Sequence, residues 1–208
     1  MPDPRPDHWE GVYGAKSADG VSWFEREPAT SLEMIAATGL GPDAALIDVG
    51  GGASTLVDRL LAEGYRHVTV LDVSGRALAI AKARLGPIAD AVDWLVADIT
   101  AWTPPPNAFE VWHDRAVFHF MVTEADRKAY VRALTRSLRS GGYAIIATFA
   151  LTGPERCSGL AVQRYCPETL QAALGSGFTL IDAEPQTHTT PTGTSQDFVW
   201  CLFRKTAE

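Results

Sequence analysis

The chain has 208 residues with 46% hydrophobic and 21% charged residues, an ordinary globular balance that suits one domain. Its formal net charge of -7 argues against duplex nucleic acid as a partner, because phosphate binding needs a clustered basic surface. A neutral or cationic small molecule, or a basic protein segment, would meet less repulsion. Three cysteines without a CxxC pair, and no signal peptide or membrane span, lead us to expect a soluble cytoplasmic protein with reduced thiols.

After an irregular, tryptophan-rich segment over residues 8–28, apolar strand-like runs alternate with amphipathic helical stretches. In chain order we predict a helix in "ATSLEMIAATG", a strand in "AALIDVG", a helix in "STLVDRLLAEG", a strand in "HVTVLDV", a helix in "GRALAIAKARLG", strands in "VDWLVADI" and "AFEVWHDRAV", a helix in "EADRKAYVRALTRSLRSGG", a strand in "YAIIATFA", a helix in "PETLQAALGSG" and strands in "FTLIDAEPQTH" and "QDFVWCLFRK". Such alternation predicts a parallel sheet covered on both faces. The last two strands are too close in sequence for a parallel crossover. We therefore predict an α/β fold, a doubly wound, mostly parallel seven-stranded sheet with an antiparallel C-terminal hairpin.

Three glycines, Gly50 to Gly52, follow the first strand in "LIDVGGGAST", at the edge where doubly wound sheets bind ligands. Asp72 closes the second strand and can accept hydrogen bonds from both hydroxyls of a ribose. The GxGxxG fingerprint of dinucleotide sites would need a glycine at position 55, which is a threonine. Asp48, just before the glycines, has no role in a pyrophosphate cradle but suits an α-amino group.

Asp98 ends the third strand in "VADI", where it can hydrogen-bond an exocyclic amine while Ile99 packs on an adenine face. Acids at three successive strand ends therefore suit a ligand with an amine, a ribose and an adenine. With "DVGGGAS", "VLDVS", "VADI" and "FEVWHDRAVFHFM" in this order, the chain resembles the class I S-adenosylmethionine-dependent methyltransferases from about Leu32 to Arg204. The resemblance implies the Rossmann-like methyltransferase fold and S-adenosyl-L-methionine as the cofactor.

A narrower resemblance joins the chain to small bacterial methyltransferases and to the lysine methyltransferases of elongation factor 1A and citrate synthase. It implies that an aromatic lid segment, residues 1–30, folds over the cofactor bound by a methyltransferase domain, residues 31–208. The stretch "DRAVFHF" departs from the "DKGTLD"-like stretch of the elongation-factor enzymes, which argues against protein lysine as the acceptor. The predicted cofactor-binding residues are Tyr13, Trp23, Asp48, Gly50, Gly52, Ser54, Asp72, Val73, Asp98, Ile99 and His113.

Two residues near the end of the fourth strand are candidate catalytic groups, because this strand lies beside the first one and thus beside the methyl group. Asp114 could accept a proton from the acceptor or orient it, and His119 could be a general base. The alternative for His119 is a packed histidine within "VFHFM". Cys157 is either a pocket-lining thiol or a core residue. No His/Cys cluster has zinc spacing, so we expect no metal site.

We therefore expect a methyltransferase that moves a methyl group to an N, O or S atom of a small-molecule acceptor by in-line displacement, with positioning supplying most of the acceleration. A protein-lysine methyltransferase is the first alternative. An NAD-dependent oxidoreductase using the same glycine turn is a second alternative, and a binding module without catalysis is a third. Nucleic acid and membrane are not expected as partners. The sequence leaves the acceptor and the oligomeric state open.

Overall fold

A computed structural model of the chain describes residues 5–15 and 17–206. The α-helices within these ranges are α1 (Arg5–Ala15), α2 (Ala29–Ala37), α3 (Leu56–Ala62), α4 (Gly75–Leu85), α5 (Glu124–Ser137) and α6 (Pro167–Leu174). The strands are β1 (Ala45–Val49), β2 (His67–Asp72), β3 (Val92–Val96), β4 (Phe109–Arg115), β5 (Leu138–Phe149), β6 (Arg156–Cys157), β7 (Leu160–Ala161), β8 (Phe178–Thr189) and β9 (Ser195–Lys205).

Seven strands form one sheet in the order β3-β2-β1-β4-β5-β9-β8. The first five in this order pair in parallel, whereas β9 runs antiparallel to both β5 and β8. The predicted fold, a doubly wound and mostly parallel sheet closed by an antiparallel hairpin, is confirmed. The strand order reverses between β1 and β4, so a ligand crevice is expected beyond the carboxyl ends of these two strands.

A hydrophobic core lies on each face of the sheet, because successive side chains of a strand point to opposite faces. In β1, Leu46 packs into the core beneath α2, α3 and α4, and Ile47 packs into the core beneath α5 and α6. Both side chains are fully buried, and each such burial contributes about 1.5–3 kcal/mol. The two cores fix the strand ends that carry the predicted site residues.

The N-terminal segment differs in part from the prediction of irregular structure, because its residues 8–15 belong to α1. This helix contains Gly11 and Gly14 and has no fully buried residue, so it lacks the apolar stripe from which a helix is predicted. The predicted long helix also ends earlier, since β5 begins at Leu138, before the glycine pair. Residues 1–4 and 16 of the predicted lid segment and residues 207–208 of the predicted domain lie outside the described residues. Within the described chain, no helix is long and apolar enough to cross a membrane.

Candidate active site

A pocket lies beyond the carboxyl ends of β1, β2 and β4, with about 860 Å³ of empty space that includes its opening to solvent. A smaller cavity adjoins it and shares Tyr13, Trp23 and Gly50 with it. All the predicted cofactor-binding residues except Gly52 border one of these two spaces. The pocket is bordered by Tyr13, Trp23, Gly50, Asp72, Val73, Asp98 and Ile99, and the adjoining cavity by Tyr13, Trp23, Asp48, Gly50, Ser54 and His113.

The glycine loop turns sharply after β1. Gly50 has φ +71° and its N–H donates to the carbonyl of Leu71 at 2.6 Å, while Gly52 has φ +42°. A Cβ atom on Gly50 would lie 2.1 Å from a methyl carbon of Val117, and one on Gly52 would lie 2.7 Å from Asp72 Oδ2. Both positions thus combine a backbone conformation that favours glycine with a lack of space for any side chain.

Asp48 lies beneath this loop and is almost fully buried. Its Oδ1 is 2.7 Å from Nδ1 of His113, its register partner across β1 and β4, and His113 Nε2 is 3.0 Å from Oγ of Ser31. A Cβ on Gly51 would lie 2.4 Å from Asp48 Oδ2 and 2.7 Å from Val70 Cγ1. The middle glycine is therefore required by the Asp48 carboxylate itself.

Asp72 ends β2 and borders the pocket, although it is 7% exposed. Its Oδ1 accepts a hydrogen bond from the backbone N–H of Ser74 at 2.8 Å. Burial raises the pKa of Asp72 to about 7; the charges of Asp48 and Glu10 add to this effect and the Ser74 hydrogen bond opposes it. A ligand that donates hydrogen bonds to this carboxylate would stabilise its charged form.

Asp98 lies in the loop after β3, and this loop borders one end of the pocket. Its Oδ1 accepts from both the backbone N–H and the hydroxyl of Thr100, each at 2.8 Å, and its Oδ2 is 3.5 Å from Nη2 of Arg5. Ile99 is buried beside it. The Arg5 ion pair connects α1 to the loop after β3, so the N-terminal helix covers this part of the pocket.

The aromatic residues of the N-terminal segment contact one another above the pocket. Trp23 Nε1 donates to the hydroxyl of Tyr13 at 3.2 Å, and the ring of Trp9 meets those of Trp23 and Phe120 edge-on, at centroid distances of 5.5 and 5.3 Å. Burial raises the pKa of the Tyr13 hydroxyl, which therefore stays neutral. These four residues border the pocket, and we call them the aromatic cover.

Arg115, at the end of β4, borders both the pocket and the adjoining cavity. Its Nη1 donates to the carbonyl of Trp23 at 2.8 Å, its Nη2 is 2.9 Å from Glu25 Oε1, and its Cζ lies 5.2 Å from the ring centre of Phe198. The sequence interpretation did not include Arg115 or Phe198 in the site. Nothing in the local pattern distinguishes this arginine from one in a surface ion pair.

The predicted catalytic residue Asp114 is fully buried, and the described structure does not place it at the border of the pocket. Its carboxylate accepts hydrogen bonds from the backbone N–H groups of Val117 and Phe118, at 2.8 and 3.0 Å, and from the hydroxyl of Tyr130 at 2.5 Å. Burial raises the pKa of Asp114 to about 7 against the effect of these donors. The geometry thus gives Asp114 the task of holding the loop after β4, and its catalytic role stays a prediction without geometric support.

His119, the other predicted catalytic residue, is also fully buried and is not among the described residues that border the pocket. Its ring packs against Phe120 and Phe149, and its Nδ1 lies 3.4 Å from the backbone N–H of Phe149. Burial lowers the pKa of His119 to about 3, so the imidazole is neutral. This is the packed arrangement that was the alternative in the sequence interpretation, and the role of general base remains a prediction without geometric support.

Two further predictions concern cysteines and metals. Cys157 borders the pocket as well as the core, and burial raises the pKa of its thiol to about 12. Among the residues that the structure describes, no group of His, Cys, Asp and Glu is arranged to hold a metal ion.

Comparison with known proteins agrees with this geometry. Residues 46–142 match the family model of a methyltransferase domain. The ubiquinone/menaquinone biosynthesis C-methyltransferase UbiE of Roseobacter denitrificans is 30% identical over 109 residues, which cover 50% of this chain and 42% of that protein. The chain thus matches less than half the length of this curated relative.

Solved structures resemble the chain over nearly its whole length. The N-methyltransferase NodS of Bradyrhizobium japonicum, bound to S-adenosylhomocysteine, has a TM-score of 0.72 at 16% identity. The match covers 96% of this chain and 99% of the NodS chain. The 1,6-didemethyltoxoflavin-N1-methyltransferase of Burkholderia thailandensis, bound to 1,6-didemethyltoxoflavin and S-adenosylhomocysteine, has a TM-score of 0.68 at 20% identity. The match covers 96% of this chain and 84% of that enzyme's chain. These comparisons support the predicted resemblance and cofactor: residues 46–142 match a methyltransferase domain, and the chain shares its fold with S-adenosylmethionine-dependent methyltransferases, two of them solved with S-adenosylhomocysteine.

Proposed function

We propose that the chain transfers the methyl group of S-adenosylmethionine to an N, O or S atom of a small-molecule acceptor. The observation that carries the proposal is the continuity of one pocket from Asp72 and Asp98, at the ends of β2 and β3, to Phe149 and Phe198, on β5 and β9. The aromatic cover lies over this pocket. A partly apolar space beneath a cover suits a small molecule better than a folded protein surface.

The residues at the first end of the pocket fit the cofactor by their chemistry. Asp72 is a buried carboxylate whose Oδ2 faces the glycine loop, so that it can accept hydrogen bonds from ribose hydroxyls. Asp98 can accept from the adenine amine, while Ile99 supplies an apolar surface for the ring. When bound, the cofactor supplies a methyl group on a sulfonium, a good leaving group.

The adjoining cavity fits the methionine end of the cofactor. Asp48 offers a carboxylate to the amino group, and its orientation is fixed by the hydrogen bond from His113. Ser54 and the backbone of Gly50 border the same space. We propose that Tyr13 and Trp23, which border both spaces, close over the methionine end, and that Gly52 and Val73 shape the ribose site.

The chain's own contribution to the reaction is mainly positioning and exclusion of water. The aromatic cover and the fixed strand ends would hold the acceptor in line with the methyl group, which can supply most of the acceleration of a displacement reaction. The 1,6-didemethyltoxoflavin-N1-methyltransferase described above supports a small-molecule acceptor, since its structure holds 1,6-didemethyltoxoflavin. No described feature favours protein lysine.

Calorimetry with S-adenosylmethionine, S-adenosylhomocysteine and NAD tests the cofactor part of the proposal. We expect both adenosyl ligands to bind, NAD to bind far more weakly, and Asp72→Ala to abolish binding. Asp93→Ala is the matched control, because Asp93 is an exposed acid on β3. Tight binding of NAD without binding of S-adenosylmethionine would refute the proposal.

Transfer of a tritiated methyl group in cell lysate tests the acceptor part. We expect the label to appear in the fraction of small molecules and to be absent without the protein. Label in a discrete protein band would instead support the protein-lysine alternative. Intact cofactor binding without any transfer across a broad acceptor panel would support a binding module.

A further inference from the structure

The pocket extends from Asp72 and Asp98, which follow β2 and β3, to side chains of β5 and β9 on the other side of β1 and β4. We call the part beside β5 and β9 the acceptor end. The aromatic rings of Phe149 and Phe198, neighbours across β5 and β9, form its base with centroids 4.8 Å apart. The aromatic cover adds tryptophan rings from above. The side chains at the acceptor end are Trp9, Trp23, Phe120, Phe149, Phe198, Arg115, Cys157 and Gln196. Several rings in a confined space favour a planar, π-rich molecule.

Arg115 is the charged side chain that borders the acceptor end among the described residues. Glu25, which borders the adjoining cavity, forms an ion pair with Nη2 of Arg115. It also lies 3.4 Å from Nδ1 of His188. The Nε–H of Arg115 is buried and has no hydrogen-bond partner within the described chain. An unpaired buried donor of this kind costs about 1–3 kcal/mol, so an acceptor atom on a ligand would be favourable here.

Gln196 supplies a second polar group at the same end. It lies two residues before Phe198 on β9, so both side chains project from the same face of the sheet. The side chain of Gln196 is 9% exposed, borders the pocket, and makes no hydrogen bond with another described residue. Its amide can therefore donate to a ligand oxygen or nitrogen in the pocket that Arg115 also borders.

The described side chains at the acceptor end include no group that could remove a proton from the acceptor at neutral pH. The Cys157 thiol, with a pKa of about 12, stays protonated, and so does the hydroxyl of Tyr13. Asp114 and His119 lie outside the pocket. A protonated amine would also meet the positive charge of the cofactor sulfonium and that of Arg115, which Glu25 offsets in part.

We infer, on the basis of the proposed function, that the acceptor is a planar aromatic or heteroaromatic molecule whose nucleophilic oxygen, sulfur or nitrogen is already ionised when it binds. Arg115 and Gln196 hold its negative charge. The lone pair of the ionised atom forms the bond to the methyl carbon, the carbon–sulfur bond breaks, and its electron pair stays on sulfur. The anionic acceptor and the sulfonium thus give two neutral centres, and no proton is released in this step.

Binding of three aromatic probes of different charge to the protein saturated with S-adenosylhomocysteine tests this inference by calorimetry at about pH 8. The probes are 4-nitrophenol, which is then an anion, 4-nitrobenzyl alcohol, which is neutral, and 4-nitrobenzylamine, which is a cation. We expect the anion to bind at least about tenfold more tightly than the other two, as a charge-assisted hydrogen bond predicts.

Variants assign this preference to individual side chains. Arg115→Met should reduce the preference to about twofold or less, and Gln196→Leu should weaken binding of the anion about fivefold. If the Arg115 variant does not fold, Gln196→Leu alone tests whether the acceptor end binds the anion. Arg139→Met is the matched control, because Arg139 is half exposed near the start of β5, at the other end of this strand from Phe149, in an ion pair with Glu110. It should keep the full preference.

The outcomes separate this inference from the proposed function. Failure of the protein to bind S-adenosylhomocysteine would refute the proposed function before any probe is added. With that ligand bound, equal or tighter binding of the amine would overturn the inference. A preference for the anion that persists in both variants would also overturn it, as would the absence of binding by the anion up to about 1 mM.

Discussion

Replacement of Asp72 by asparagine should make the protein more stable and its cofactor site weaker at the same time. The carboxylate is buried, and its pKa of about 7 in the folded protein is well above the usual 3.8. Asparagine keeps an oxygen for the backbone N–H of Ser74, which is 2.8 Å away, but it carries no charge. The variant therefore removes the cost of a buried charge while it retains the local turn.

The magnitude follows from the difference between the folded and unfolded pKa. Three pKa units correspond to at most about 4 kcal/mol of lost stability when Asp72 is ionised. Because the folded-state pKa is the higher one, this loss is absent below about pH 4, grows as the pH rises, and is complete above about pH 7. Asp72→Asn should thus exceed the wild type in free energy of unfolding at about pH 8, with the difference shrinking towards about pH 5.

Cofactor binding should show the opposite trend, since the proposed hydrogen bonds from the ribose hydroxyls favour the charged carboxylate. The wild-type Asp72 is about one-tenth ionised at pH 6 and about nine-tenths ionised at pH 8, so the affinity for S-adenosylhomocysteine should rise about tenfold over this range. Asp72→Asn should bind about 10–100-fold more weakly at pH 8 and show no such rise.

Urea unfolding and calorimetry at about pH 5, 6 and 8 measure both effects. Asp93→Asn is the control, because Asp93 is exposed on β3 and should change neither quantity. A wild-type affinity that is flat between pH 6 and 8, together with an Asp72→Asn protein no more stable than the wild type at pH 8, would refute the reasoning.

Three further predictions follow from buried contacts. Gly51→Ala should lose about 1–3 kcal/mol in urea unfolding, because its Cβ would lie 2.4 Å from a carboxylate oxygen; Gly41→Ala, with no atom within 4 Å of its Cβ, should stay within about 0.5 kcal/mol of wild type. Tyr130→Phe should lose about 1–3 kcal/mol, because it removes a donor from the buried Asp114 carboxylate; an unchanged unfolding midpoint would contradict this contact. His119→Gln should leave the shape of the pH–rate profile between about pH 6 and 8 unchanged, because the pKa of His119 is about 3, and the disappearance of an acidic limb in this variant would restore its role as a base.

The fold could be predicted because its signals are local and repeated. Leu46 and Ile47 belong to a short apolar run between helical stretches, and the same alternation recurs along the chain. The N-terminal segment has no such pattern, because α1 is held by aromatic contacts, such as that between Trp9 and Phe120, rather than by an apolar stripe. These two residues are far apart in sequence, so no local pattern relates them.

The candidate site was predictable in part for a similar reason. Asp72 and Asp114 both lie at or near the end of a parallel strand, both are buried, and both have a pKa of about 7. Of these two acids, Asp72 is among the described residues that border the pocket and Asp114 is not, because the Tyr130 hydroxyl of α5 and two loop amides cover Asp114. Position at a strand end can be inferred from sequence, whereas what a distant helix places above that end cannot. Arg115 was missed in the same way.

The glycine loop has a consequence for recognising active relatives. Each of its three glycines is enforced by a protein atom: Gly50 by Val117, Gly51 by Asp48 and Gly52 by Asp72. The constraint therefore acts even when no ligand is present, and it would persist in a descendant that had lost its catalytic activity but kept its fold. A run of glycines in a homologue thus marks the architecture of the loop. Under the acceptor site that we propose, loss of Arg115 and of the aromatic cover would instead indicate a change of acceptor.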